Sequence, residues 1–199
     1  MRKLIVSEFV SLDGVMEDPG GAEKTKHGGW TFKFMSPEGG KYKLDELLAG
    51  GALLLGRVTY QGFAKAWPSM KDDAGFADRM NSLPKYVVST TLDKAEWKNS
   101  RVISGNVAEE VKKLKEQPGQ DILVFGSAEL VMTLMNDDLV DEYRLMVYPI
   151  ILGSGKRLFG DDIQTAQVLD LADSKAFGSG VVLLTYRPRG GVSKSEVAR

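Results

Sequence analysis

The chain has 199 residues, with 26 lysines and arginines against 27 acidic residues and a formal net charge of −1. That balance leaves no basic footprint for nucleic acid, and no apolar run approaches the roughly 20 residues of a membrane helix. Cysteine is absent and His27 is the one histidine, which excludes disulfides and thiol nucleophiles and argues against a two-histidine metal site or a Ser-His-Asp hydrolase.

Residues 3–10 read as a first strand, followed by a polar turn at Ser11-Leu12-Asp13-Gly14. Ser7 and Glu8 interrupt its apolar run, against a signal peptide, and the lack of cysteine fits a cytoplasmic chain. The stretch 17–41 reads as a long Gly-rich loop with embedded aromatics, a length that in a compact domain is functional or mobile. A helix is predicted over 42–49, a strand over 52–55, helices over 59–66 and 74–82, and a strand over 85–89. A short strand at 102–103 precedes an amphipathic helix at 107–116, with Val107, Val111 and Leu114 at helical spacing. A strand over 121–125, a helix over 128–136, and strands over 141–148, 166–173 and 180–187 complete the series. Strands alternate with helices and then dominate the end. The expected fold is one α/β domain over 1–187, its sheet parallel at the centre with an antiparallel C-terminal edge, and a frayed tail over 188–199.

Three junctions share one design, a buried strand running through small or polar residues into a helix. They are Leu55-Gly56-Arg57-Val58-Thr59, Val88-Ser89-Thr90-Thr91 and Phe125-Gly126-Ser127-Ala128-Glu129. Ligands of open α/β sheets bind outside the C-terminal strand ends, and helix N-termini favour phosphate. Singly, each junction is as well explained by an ordinary turn; the three together point to a nucleotide. A G-x-G-x-x-G turn is absent after the first strand, and Gly153-Ser154-Gly155-Lys156 lacks the spacing of a P-loop.

Phe9-Val10-Ser11-Leu12-Asp13-Gly14, Leu54-Leu55-Gly56-Arg57-Val58-Thr59-Tyr60, Phe125-Gly126-Ser127 and Tyr148-Pro149-Ile150-Ile151-Leu152-Gly153-Ser154-Gly155 occur in this order. Together they resemble the dihydrofolate-reductase-like family, in the branch of the reductase domain of the riboflavin-pathway deaminase/reductase. The resemblance spans about residues 3–187. It implies a dihydrofolate-reductase-like domain, NADPH as cofactor and a homodimer, for which Leu145-Met146-Val147 and Val181-Val182-Leu183-Leu184 are permissive. By position, Gly56, Arg57, Val58 and Thr59 resemble the segment that holds the cofactor phosphates. Ser89, Thr90 and Thr91 resemble the loop at the 2′-phosphate, and Gly126, Ser127, Ala128, Glu129 and Leu130 the glycine turn under the pyrophosphate. Phe9, Val15 and Met16 fall where the family contacts nicotinamide.

Departures from the family are informative. The chain has no room and no cysteines for a zinc deaminase. Ser7 stands where the pyrimidine-reductase motif has Lys, which removes a cation near the substrate cleft. The resemblance places the acid on the first helix, where Asp45 is the candidate. Asp13 is a second candidate, with an Asp-Gly turn as its rival role, and His27 a third. Trp30, Phe32, Phe34 and Trp67 are candidates for a stacking wall against a flat substrate, with Tyr42 beside them; core packing is the alternative.

The expected function is NADPH-dependent hydride transfer to a small heterocyclic substrate, with no nucleic-acid, membrane or metal partner. One alternative is the stand-alone aminouracil reductase of riboflavin biosynthesis, its phosphoribosyl group held by Lys41, Lys43, Lys156 and Arg157. The other is a nucleotide-binding protein without turnover.

Overall fold

The computed structural model describes residues 1–160, 163 and 166–190. Eight strands form one sheet: β1 (Leu4–Ser11), β2 (Ala52–Gly56), β3 (Lys85–Val88), β4 (Ser100–Ile103), β5 (Ile122–Val124), β6 (Glu142–Tyr148), β7 (Leu169–Ala176) and β8 (Val182–Pro188). Their order is β4-β3-β2-β5-β1-β6-β8-β7. The first six strands in that order pair in parallel; β8 runs antiparallel to both β6 and β7.

Five helices cover the faces: α1 (Pro37–Ala49), α2 (Arg57–Ala66), α3 (Phe76–Ser82), α4 (Val107–Glu116) and α5 (Ala128–Asn136). Alternation along each strand supplies two core layers. Leu4, Val6, Val10, Leu54 and Val124 pack with α4 and α5 through Val111, Leu114, Val131 and Leu134. Ile5, Leu53, Leu55, Leu123 and Phe125 pack with Leu47, Tyr60 and Met80 of α1, α2 and α3. A third cluster gathers Trp30, Met146, Tyr148 and Phe177.

Several predicted elements shift at their ends, two of them by three residues or more. The helix expected over 42–49 begins five residues earlier, at Pro37, because Ser36 Oγ accepts the Gly39 N–H at 3.1 Å and caps it. The strand expected over 166–173 runs from Leu169 to Ala176. Leu145, Met146, Val181 and Leu183 are buried in the core, so they do not form an outer apolar face. β8 extends to Pro188, and of the expected tail residues 191–199 lie outside the described part. No helix among the described residues is long and apolar enough to cross a membrane.

The sheet divides at one place. β1 pairs with β5 only from Leu4 to Val6, yet with β6 from Ile5 to Ser11. Beyond Val6 the β5-facing edge of β1 has no strand partner among the described residues, and a gap opens at the C-terminal end of the sheet, the place where such folds hold ligands.

Candidate active site

One wall of the gap is made by the β2–α2 and β5–α5 turns, which are fastened together. Ser127 Oγ accepts the Gly56 N–H at 2.9 Å and donates to Phe125 O at 3.2 Å. Gly126 (φ 59°) and Ser127 (φ 68°) are both left-handed. A Cβ on Gly126 would lie 2.9 Å from Thr59 Oγ1, closer than side chains pack. Glycine is therefore required there by both backbone angle and space.

The clasp brings the N-termini of α2 and α5 side by side. The first-turn N–H groups of a helix have no partner within it, and the dipole is positive there. Arg57 and Val58 are exposed on α2, with Arg57 Nη1 3.3 Å from Gln61 Oε1. Glu129 is exposed and pairs with Lys156 at 2.8 Å, whereas Ala128 and Leu130 are buried. The third expected junction does not enter a helix, since β3 is followed by β4: Ser89 is buried and accepts the N–H groups of Thr91 and Leu92 at 3.1 and 2.9 Å, which curls the chain into a turn there. Thr90 and Thr91 are exposed.

The opposite wall is β1. Val15 and Met16 do not line an open loop: both are buried, and the 12–16 turn is tied to the 156–158 segment through Met16 N–H to Lys156 O at 2.9 Å. Phe9 is half-buried and meets the Tyr148 ring edge-on, with centroids 5.5 Å apart. Trp30 and Phe34 meet the same ring at 5.1 and 5.9 Å. Trp30 is buried and its Nε1 donates to Glu17 O, which leaves it a packing role. Phe32 is exposed, and Trp67 packs on Phe63 and Phe76 in a different cluster. The four aromatics therefore do not form one wall. Tyr42 is half-buried beside Phe177, and burial with the nearby Glu46 charge raises its hydroxyl far above the usual tyrosine value.

The carboxylates separate sharply. Asp45 is exposed and pairs with Lys41 at 2.6 Å. Its neighbour Glu46 is the buried one, and it faces the sheet: it accepts from Ser7 Oγ at 2.8 Å, Lys43 Nζ at 2.5 Å and Arg144 Nη1 at 3.3 Å. Burial pushes its carboxyl up, but Lys43, Ser7 and Arg144 together hold it below the usual range. Asp13 accepts from Ser11 Oγ at 2.7 Å and from the Leu152 and Gly153 N–H groups at 3.1 and 2.8 Å. Those bonds lower its pKa to about 2 and make it a clasp between two turns.

At the gap stand Lys43, one of the four expected cations, and Glu8, which escaped sequence reading. Lys43 Nζ reaches across from α1 to Ser7 Oγ at 2.9 Å, and lies 4.3 and 5.3 Å from the Phe125 and Phe9 ring centres. A cation thus stands beside Ser7 even though the strand itself carries none. Glu8 is buried, and its Oε2 accepts the Gly126 N–H across the gap at 3.0 Å. Lys41, Lys156 and Arg157 are engaged elsewhere, with Asp45, Glu129 and Asp13 O, so the four expected cations do not form one pocket. Among the described residues no group of His, Asp and Glu is placed to hold a metal ion.

The family profile described as the RibD C-terminal domain matches residues 2–183. The uncharacterized protein YyaP of Bacillus subtilis (strain 168) is 34% identical over 192 residues, covering 95% of this chain and 96% of the relative. A crystal structure from Shewanella sp. PV-4, titled for a role in riboflavin biosynthesis, superposes with a TM-score of 0.73 at 22% identity, covering 94% of this chain and 99% of that one. Dihydrofolate reductase from Enterococcus faecalis, complexed with NADP(H), shares the fold at a TM-score of 0.56 and 15% identity, covering 94% and 96%.

Proposed function

The chain belongs to the RibD C-terminal domain family, and from that premise we propose that it is an NADPH-dependent reductase of a small heterocyclic substrate. The observation that carries the reading is the clasp between Gly56 and Ser127 beside the open edge of β1. It sets two positive helix ends against one face of the gap, a donor set that suits a dinucleotide phosphate.

The residues fit that cofactor. Unbonded N–H groups at the starts of α2 and α5 would take the pyrophosphate, with Thr59 and Ser127 flanking it. Arg57 with Thr90 and Thr91 suits the extra 2′-phosphate, which favours NADPH over NADH. When bound, NADPH supplies a hydride. The protein's own part is to hold a flat ring at the gap between β1 and Gly126 and to keep water out. Lys43, fixed by Glu46 and Ser7, offers a cation to an electron-rich edge of the substrate.

The aminouracil-reductase alternative draws support from the same lysine, because Lys43 restores beside Ser7 the cation that the strand lacks. A homodimer accompanies the reading, and light scattering over a range of concentrations tests it. The function is tested by titrating the protein with NADPH and, separately, NADH, followed by intrinsic fluorescence and calorimetry. Preferential binding of NADPH is expected. No binding of either by both methods overturns the reductase reading.

A further inference from the structure

We propose that Glu8 is the acid of this site: the carboxyl oxygen it leaves free, in the gap where β1 parts from β5, gives a proton to the ligand atom that needs one. The proposal deepens the reductase reading and rests on it.

Glu8 lies on β1 two residues past Val6, the last residue of β1 paired to β5. Its side chain spans the opening, with Oε2 on the Gly126 N–H at 3.0 Å. Oε1 is buried and, among the described residues, has no hydrogen-bond partner. A buried carboxyl oxygen without a partner is costly unless a ligand completes it. The charged groups facing it are Lys43 and Glu46, both from α1. Burial dominates and pushes the carboxyl well above the usual range; Glu46 adds to that push, while Gly126 and Lys43 oppose it. A carboxyl pushed in this direction keeps its proton to higher pH than a free one, which suits it to donate.

The other carboxyls near the gap do not serve. Asp13 and Glu46 are held ionised by their hydrogen bonds, and Asp45 is exposed on the outer side of α1. Oε2 of Glu8 is occupied as an acceptor, so the proton belongs on Oε1.

The step balances as one proton. The Oε1–H bond breaks and a new bond forms from that hydrogen to the substrate's carbonyl oxygen or imine nitrogen. The double-bond electron pair closes onto that heteroatom as the adjacent carbon takes hydride from a reduced nicotinamide. The Glu8 carboxylate left behind is reprotonated by water.

The test compares the wild type with Glu8→Gln, which keeps the shape and the Gly126 bond but has no acidic proton. Infrared difference spectra at neutral pH are expected to show a protonated-carboxyl band in the wild type that Glu8→Gln lacks. NADPH affinity by titration is expected to be unchanged. With a substrate from a pterin and pyrimidine panel, kcat is expected to fall about 10²–10⁴-fold in Glu8→Gln, with KM little altered because the amide still donates a hydrogen bond. Absence of the band, or kcat within twofold of wild type, overturns the proposal. A band in a chain that binds neither NADPH nor NADH overturns the reductase reading and leaves the proton assigned to Glu8.

Discussion

The Ser127 hydroxyl holds the Gly56 backbone N–H at 2.9 Å, a contact between residues 71 apart in sequence. It joins the starts of two helices whose dipoles would otherwise be held apart. Removing the hydroxyl therefore loosens the site and the fold together. Ser127→Ala is expected to lose the bond, about 0.5–1.5 kcal/mol, and to retain the left-handed backbone strain of a residue with a Cβ, about 1–2 kcal/mol. Ser127→Gly loses the same bond and is relieved of the strain. Urea denaturation should rank wild type or the glycine variant above the alanine variant. An alanine variant more stable than the glycine variant contradicts this account of the turn.

Arg57 is exposed at the first residue of α2, with Gln61 Oε1 3.3 Å from its guanidinium and the Glu129 carboxylate near enough to feel its charge. An exposed side chain of this kind contributes little to the fold, so its substitution reads out ligand contacts. Arg57→Ala is expected to weaken NADPH by about 1.5–3 kcal/mol, the range of a charged hydrogen bond to phosphate. Unaltered NADH affinity places the contact at the 2′-phosphate; equal loss for both cofactors places it at the pyrophosphate. Unchanged affinity for both removes Arg57 from the site.

Two of the three expected strand-to-helix junctions, β2–α2 and β5–α5, were readable in the sequence because glycine and helix starts are local signals; the third, after β3, leads through a turn to β4 instead of into a helix. Helices α4 and α5 were equally readable, since their apolar spacing is regular and, for α4, Asn106 caps the start. The first turn of α1 was hidden by Gly39 and Gly40, which read as loop although Ser36 and Pro37 cap it. The inward carboxylate of α1 was misplaced by one residue. The inward face of the helix carries Gly39, Lys43, Glu46, Leu47 and Gly50, whereas the resemblance located the acid on this helix without fixing its rotation. Glu8 was illegible for a different reason: its place at the gap depends on where β5 stops pairing with β1, which is a property of register between segments over 100 residues apart.

The contrast between Asp45 and Glu46 is testable in one pair of variants. Asp45 makes an exposed i−4 pair with Lys41, worth about 0.3–0.5 kcal/mol. Asp45→Asn should change stability by no more than that, and turnover little. Glu46 is 1% exposed in its side chain and neutralises Lys43 and Arg144. Glu46→Gln leaves the mostly buried Lys43 without its carboxylate, while Arg144 keeps Glu142 at 2.8 Å, and breaking a buried pair costs about 3–5 kcal/mol. Thermal unfolding of the two variants distinguishes them. A collapse of turnover in Asp45→Asn at unchanged stability restores Asp45 as the acid.

Glu8 and Glu46 give stability opposite dependences on pH. The Glu46 carboxyl sits below its ordinary value in the folded chain. Its contribution is present above the unfolded value, about 4.3, and is lost as pH falls through the folded one. Glu8 sits well above its ordinary value. Below about pH 4.3 its proton is bound in folded and unfolded chains alike. As pH rises above that, the unfolded chain ionises first, and stability falls until the folded value is passed. Midpoints of thermal unfolding for wild type and Glu8→Gln should therefore diverge as pH rises from about 4 to 7, the variant gaining relative to wild type. Glu46→Gln, whose midpoint is low throughout, should flatten the acid side of the profile. A wild-type advantage over Glu8→Gln that grows with pH would mean that Glu8 is ionised in the folded chain, and that its neighbours Gly126 and Lys43 outweigh burial.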